Sequence, residues 1–321
     1  MDAIKALNKS TGQAIQDILM PTLEITIPLL LKNKEAILSI QRKEETYGRH
    51  PRQKLDIYLP VENPVKSPIL IFFYGGGLIR GDKIVPTVPE QLLYHNVGSF
   101  FAQRGIATII ADYRRVNSPF GGEDAVYPSG GDDVSLVLKW LGGFEHKGSG
   151  NVVIMGNSAG GIHISTFLLA PQYLEQRQNL AAGEKGIKLV GAVGLGVPFH
   201  FKSAEAGRAN ALETYYGDAT GIKEKCPYGL LKAIENAGKP RGEVGVPNML
   251  LLLGEFDPED EIGQPNHDFA ELCEKIWSTG TELKIIEGHN HISPPPFLMT
   301  GQADGEKWAE DVAEWIKRLN N

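Results

Sequence analysis

Seven short runs, at 54–58, 69–73, 107–111, 151–155, 189–195, 249–253 and 282–286, constrain this chain more than any other feature. Most are apolar on successive residues rather than on alternate ones. Such a run suits a strand covered on both faces, whereas a strand with one wet face alternates. Stretches with helical spacing lie between them, at 89–103, 132–141, 160–174, 266–278 and 306–319. Strands alternating with helices predict an α/β fold: a doubly wound, mostly parallel sheet. Two segments break the alternation, 1–50 and 198–247, and both are expected to form a helical cap. The expected division is therefore an N-terminal cap segment at 1–50, a core at 51–197 and 248–321, and a cap insertion at 198–247.

In a sheet of this kind, ligands sit beyond the carboxyl ends of the strands. Four motifs fall there. Gly156-Asn157-Ser158-Ala159-Gly160 follows the run Val152-Val153-Ile154-Met155 and opens onto a helical stretch. This is the strand-turn-helix setting that gives a G-x-S-x-G pattern meaning, and it makes Ser158 a candidate nucleophile. Tyr74-Gly75-Gly76-Gly77 follows the run at 69–73. Asp257 and then His291 each come just past a later run. Ser, then Asp, then His is the chain order of a hydrolase triad on such a sheet.

Taken together these residues resemble the hormone-sensitive-lipase-like branch of the α/β-hydrolases. Tyr74-Gly75-Gly76-Gly77 through Gly81-Asp82 is similar to its three-glycine oxyanion segment, and Asp112-Tyr113-Arg114 to its DYR strand end. Tyr127-Pro128, Asp132-Asp133 and Trp140-Leu141 resemble the segment before its elbow strand. Asp257-Pro258 and Glu287-Gly288-His289-Asn290-His291 resemble its last two triad loops. The likeness runs over roughly residues 50 to 320.

The resemblance implies a carboxylesterase with Ser158 as nucleophile, His291 as base and Asp257 as its partner. The oxyanion would be held by the amides of Gly76, Gly77 and Ala159, with no metal and no cofactor. The Gly-x-x-His spacing from Gly288 favours His291 over His289, and Asp260 and Glu261 are the rival carboxylates, placed as surface or cap-facing charges. Tyr74 stands where the family has histidine. With Gly75 it is a candidate substrate contact, or else it packs and bonds to backbone.

The expected substrate is a small-molecule ester with a small to medium acyl group. Two other readings use the same residues: an amide or formamide hydrolase, and an esterase of secondary metabolism. A third, a non-catalytic receptor that keeps the pocket, fits less well because both histidines of the last loop remain.

Composition narrows the setting. A net charge of −7 argues against nucleic acid, which needs a basic face. No apolar stretch reaches the roughly 18 residues of a membrane span. The nearest, 22–31, is interrupted by Glu24 and Pro28. The first 20 residues lack the apolar centre of a secretory signal, and the two cysteines, Cys226 and Cys273, are too few for a disulfide framework. A cytoplasmic protein with free thiols is expected, and self-association through the terminal helix or the cap edge is left open.

Overall fold

A computed structural model describes residues 1–62, 67–119, 121–145 and 148–320. Its strands are β1 (Arg42–Thr46), β2 (Lys54–Tyr58), β3 (Ile69–Phe73), β4 (Ala107–Ala111), β5 (Asn151–Asn157), β6 (Lys188–Leu195), β7 (Asn248–Phe256) and β8 (Thr281–Asn290). They form one sheet in the order β1-β2-β4-β3-β5-β6-β7-β8. Strands β4 through β8 in that order run parallel, while β1 and β2 pair antiparallel at one edge. The residues of β3 are all at most 1% exposed. Burying each such side chain contributes about 1.5–3 kcal/mol, so the central strands carry much of the core.

The sheet also takes in β1, which lies inside the segment expected to be cap. Its sequence, Arg-Lys-Glu-Glu-Thr, has no apolar pattern, and its five residues are half-buried or exposed. An edge strand pairs on one side and can face water, so polar side chains suffice there. Only residues 1–38 of the N-terminal segment are helical and separate from the sheet: α1 (Asp2–Thr11), α2 (Ile15–Lys32) and α3 (Lys34–Leu38). The rest of the segment belongs to the core.

Helices α4 (Leu92–Ala102), α5 (Ser129–Gly143), α6 (Ala159–Leu169) and α7 (Leu174–Ala182) follow β3 to β5. The insertion before β7 holds α8 (Ala209–Tyr216), α9 (Ala219–Lys225), α10 (Pro227–Asn236) and α11 (Arg241–Val244). Then come α12 (Gln264–Trp277), the short α13 (Pro294–Phe297) and α14 (Ala303–Asn320). An Arg104–Glu310 ion pair joins the end of α4 to α14. Helix α5 packs on α6, which lies against β3, β5 and β6.

Helix α2 keeps its helical course through Pro21 and Pro28. It is held from outside. Leu23 and Leu30 join Ile37, Val88, Leu92 and Leu93 in a small apolar cluster, and Asn290 donates to the Thr22 hydroxyl at 2.9 Å. Among the described residues no helix is long and apolar enough to cross a membrane. Cys226 and Cys273 are buried and not bonded to each other.

Candidate active site

Strand β5 ends at Asn157, and the chain must reverse at once into α6. Ser158 makes that reversal with φ 50° and ψ −117°, a conformation that costs a residue with a side chain of order 1–3 kcal/mol. The turn is feasible only because its neighbours lack side chains. A Cβ on Gly156 would stand 2.5 Å from the Gly161 nitrogen, and one on Gly160 would stand 2.0 Å from the Phe73 carbonyl oxygen. The serine is thereby pushed out beyond the sheet at the N-terminus of α6.

The other two strand ends bring in its partners. Asp257 follows β7 and is clamped by the Gly254 amide, which donates to Oδ2 at 2.6 Å. Its Oδ1 lies 2.6 Å from Nδ1 of His291, just past β8. The far ring nitrogen of His291, Nε2, lies 3.0 Å from Ser158 Oγ. Asp257 and His291 are both buried, so this chain of contacts is largely shielded from water. The two loops are also tied together, since Glu255 accepts the Gly288 amide at 2.7 Å.

Of the two imidazoles on the last loop, His291 faces the serine. His289 turns into the protein, with Nδ1 2.8 Å from the Ser293 hydroxyl, and burial takes its pKa down to about 3. Of the rival carboxylates, Glu261 is buried rather than at the surface and faces the insertion. It accepts from the Glu205 amide and from Arg208 Nε, each at 2.8 Å, and from Arg208 Nη2 at 3.0 Å. Burial alone would raise its carboxyl, and these donors outweigh it and hold the pKa below the ordinary value.

Opposite the serine lies the glycine loop after β3. A Cβ on Gly75 would sit 3.1 Å from that of Ser158, so this backbone and the nucleophile are in close approach. Gly76 has φ 153° and turns the loop so tightly that a Cβ would fall 1.9 Å from the Arg80 carbonyl oxygen. Among the described residues, the amides of Gly76, Gly77 and Ala159 have no acceptor, and all three residues line the cavity that holds Ser158. Ala159 is also the first residue of α6, where the helix dipole favours negative charge.

Of the two expected roles of Tyr74, packing fits its position and substrate contact does not, since it is absent from the cavity lining. Its side chain is fully buried beneath the loop, stacked against Tyr94 and Tyr113. The phenol donates to Asp112 at 2.5 Å and accepts from Arg52 Nη2 at 2.8 Å. Arg52 also donates to the Gly81 carbonyl at 3.0 Å and to Asp82 at 2.6 Å. The Asp112 carboxylate accepts the Lys83 amide at 2.7 Å, and Tyr113 donates to the Tyr74 carbonyl at 2.8 Å. Burial raises the Asp112 carboxyl, and Arg52 only partly offsets it. The glycine loop is thus fastened from below by a buried polar cluster, of which Tyr74, Gly81-Asp82 and Asp112-Tyr113-Arg114 were noticeable in the sequence by resemblance, but not as a cluster.

The cavity has a volume of about 520 Å³. Its walls are largely apolar, with Leu19 and Leu23 from α2, Leu93 from α4, Ile262, and Leu212 from α8. Its polar lining includes Arg208, Glu261 and His291, along with Arg80, Asp82 and Glu205. His200 also borders the cavity, 3.0 Å from Asp268, and burial lowers its pKa. The sequence assigns the segments holding α2 and Arg208 to the cap, but singles out neither Arg208 nor any residue of α2 as part of the site.

Comparison with known proteins agrees with this picture. The BD-FAE family model matches residues 55–193. A probable isoprenylcysteine alpha-carbonyl methylesterase of Oryza sativa subsp. japonica is 33% identical over 140 residues, which are 43% of this chain and 30% of that protein. A protein of the same description from Arabidopsis thaliana is 28% identical over 78% of this chain and 50% of its own length. A probable carboxylesterase 13 of Arabidopsis thaliana is 28% identical over 52% of this chain and 53% of its own. The matches therefore span about half or less of these relatives. Among solved structures, a thermostable esterase from Pseudomonas putida superposes with a TM-score of 0.65 at 19% identity, over 99% of this chain and 95% of that one. Carboxyl esterase 2 of Tuber melanosporum gives 0.64 at 18% identity, over 88% of each chain. At these identities the structures speak for the fold.

Proposed function

We propose that the chain, which is similar to the hormone-sensitive-lipase-like branch of the α/β-hydrolases, is a serine carboxylesterase working through an acyl-enzyme. The observation that carries this is the continuous contact from Ser158 Oγ through His291 to Asp257, at 3.0 and 2.6 Å. A serine hydroxyl is a weak nucleophile until a base takes its proton. His291 Nε2 is placed to do so as Oγ attacks the acyl carbon, and Asp257 holds the tautomer and steadies the imidazolium.

The carbonyl oxygen becomes an oxyanion, met by the amides of Gly76, Gly77 and Ala159. Each such donor is worth about 2.7–4 kcal/mol. Collapse of the tetrahedral intermediate breaks the bond to the alcohol, which leaves with the proton from His291. Water, deprotonated by the same imidazole, then attacks the acyl carbon. The acid departs and Ser158 regains its proton.

The apolar cavity supports esters of small to medium acyl groups. Residues 1–38 and 198–247 act in this reading as a cap that shields the reaction. Several curated relatives are named methylesterases, so methyl esters belong among the substrates tested. The same geometry would serve an amide, and the leaving group is settled by assay. The reading includes a cytoplasmic setting, which the unbonded cysteines support.

The test is turnover of aryl and methyl esters, with N-formyl amides alongside. Ester hydrolysis is expected, falling by at least about 10³-fold in Ser158→Ala. Wild-type rates in that variant would overturn the proposal.

A further inference from the structure

Arg208 enters the cavity from the insertion, and its guanidinium is fixed in an unusual way. Nε and Nη2 are both taken by Glu261, at 2.8 and 3.0 Å, so the planar group is locked by a fork that lysine could not make. Glu261 is itself held by the Glu205 amide and sits four residues past Asp257, on the loop that carries the triad carboxylate. The third nitrogen, Nη1, has no acceptor among the described residues. It faces the glycine loop: a Cβ built on Gly77 would lie 3.7 Å from Nη1, with nothing nearer.

The space beside Gly77 is where a substrate must lie for its carbonyl to reach the loop amides. A group placed there displaces water from Nη1. An aliphatic group leaves that N–H pair stranded, whereas an oxygen acceptor restores its hydrogen bonds. The pairing with Glu261 offsets the guanidinium charge, and the Glu261 carboxylate stands by to repel an anion. Resting on the esterase reading above, we propose that Arg208 is a specificity-determining residue, selecting esters with a second, neutral carbonyl oxygen a few bonds from the one attacked. Keto esters and diesters fit this description, and simple alkanoates and hemiesters with a free carboxylate fit it less well.

The experiment compares kcat/KM for three matched 4-nitrophenyl esters: pentanoate, 4-oxopentanoate and the hemiester of glutarate. In wild type the oxo ester is expected to exceed the pentanoate by about tenfold or more, the worth of one hydrogen bond to a charged donor. In Arg208→Met that ratio falls to near one. A ratio that stays at its wild-type value overturns the proposal, as does a wild type with no preference.

Glu261→Gln gives a second readout that does not depend on how Arg208→Met folds. It uncovers the guanidinium charge, so the hemiester should gain about tenfold relative to the pentanoate; no gain counts against the proposal. Turnover with unmoved ratios overturns this inference alone. Failure to hydrolyse any of the three overturns the esterase reading, and this with it.

Discussion

The floor of the site and its roof are built by different means. The floor is the Ser158 turn and the glycine loop, and both are fixed by backbone. Glycines at 156 and 160 admit contacts that no side chain would allow, and the loop from Gly75 to Gly81 is fastened below by Arg52, Tyr74 and Asp112. The roof is α2 and the 198–247 insertion. Beside its apolar contacts it holds to the triad loops by a few side-chain bonds, among them Thr22 to Asn290 and Arg208 to Glu261. A backbone-defined floor can hold reacting atoms to fractions of an ångström, as transition-state stabilisation needs. A side-chain roof can change residue by residue and so alter what fits without disturbing the chemistry.

The largest effect should come from the floor. Gly76→Ala forces a Cβ toward the Arg80 carbonyl, and the loop must shift to relieve it. Losing the aim of one amide costs about 2.7–4 kcal/mol, so kcat for an aryl ester should fall by 10²-fold or more. Activity close to wild type would show that the loop is not the fixed donor described here. Tyr74→Phe comes next. It removes a donor from the buried Asp112 carboxylate, at a cost of about 1–3 kcal/mol in stability. Thermal unfolding should show a lower Tm, and kcat should drop more than KM rises, because the loop is loosened and the cavity wall is untouched.

Acid sharpens the same contrast. Burial takes His163, on α6, to a pKa of about 3, with Arg114 adding to the shift, and His289 is also near 3. The unfolded chain titrates near 6.5, so between about 6.5 and 3 it binds protons that the native state refuses. Stability should therefore fall as pH drops through that window, by up to ~1.4 kcal/mol per pH unit for each histidine. Among the described residues neither ring nitrogen of His163 has a partner, and the ring packs edge-on against Tyr113. His163→Phe should flatten the acid limb of a Tm-against-pH curve; an unchanged slope would mean that this histidine does not drive it.

The smallest change belongs to the roof. Leu19→Ala enlarges the apolar wall and should move the acyl-chain optimum toward longer esters, by a few-fold in relative kcat/KM. An unmoved optimum would mean that the acyl group lies elsewhere in the cavity.

The same contrast governs what could be read from the chain. The floor was legible because its parts are local: each motif follows a strand that declares itself by an apolar run, and β5, β7 and β8 end within a residue of Ser158, Asp257 and His291. The direction of the Tyr74 side chain was left open between cavity and interior, because a residue just past a strand covered on both faces obeys no alternation rule. Strand β1 was hidden because a wet edge needs no apolar pattern. The roof was nearly silent. Arg208 and Glu261 lie 53 residues apart, and α2 carries two prolines that argue against a helix of 18 residues.

The most direct test of the central claim is mass-spectrometric mapping of the protein after reaction with a fluorophosphonate. The account predicts one adduct, on the peptide bearing Ser158, formed rapidly in wild type and at least 10²-fold more slowly in His291→Ala, as expected when the base is removed. A Ser158 that stays unlabelled, or that labels equally fast without His291, would contradict it.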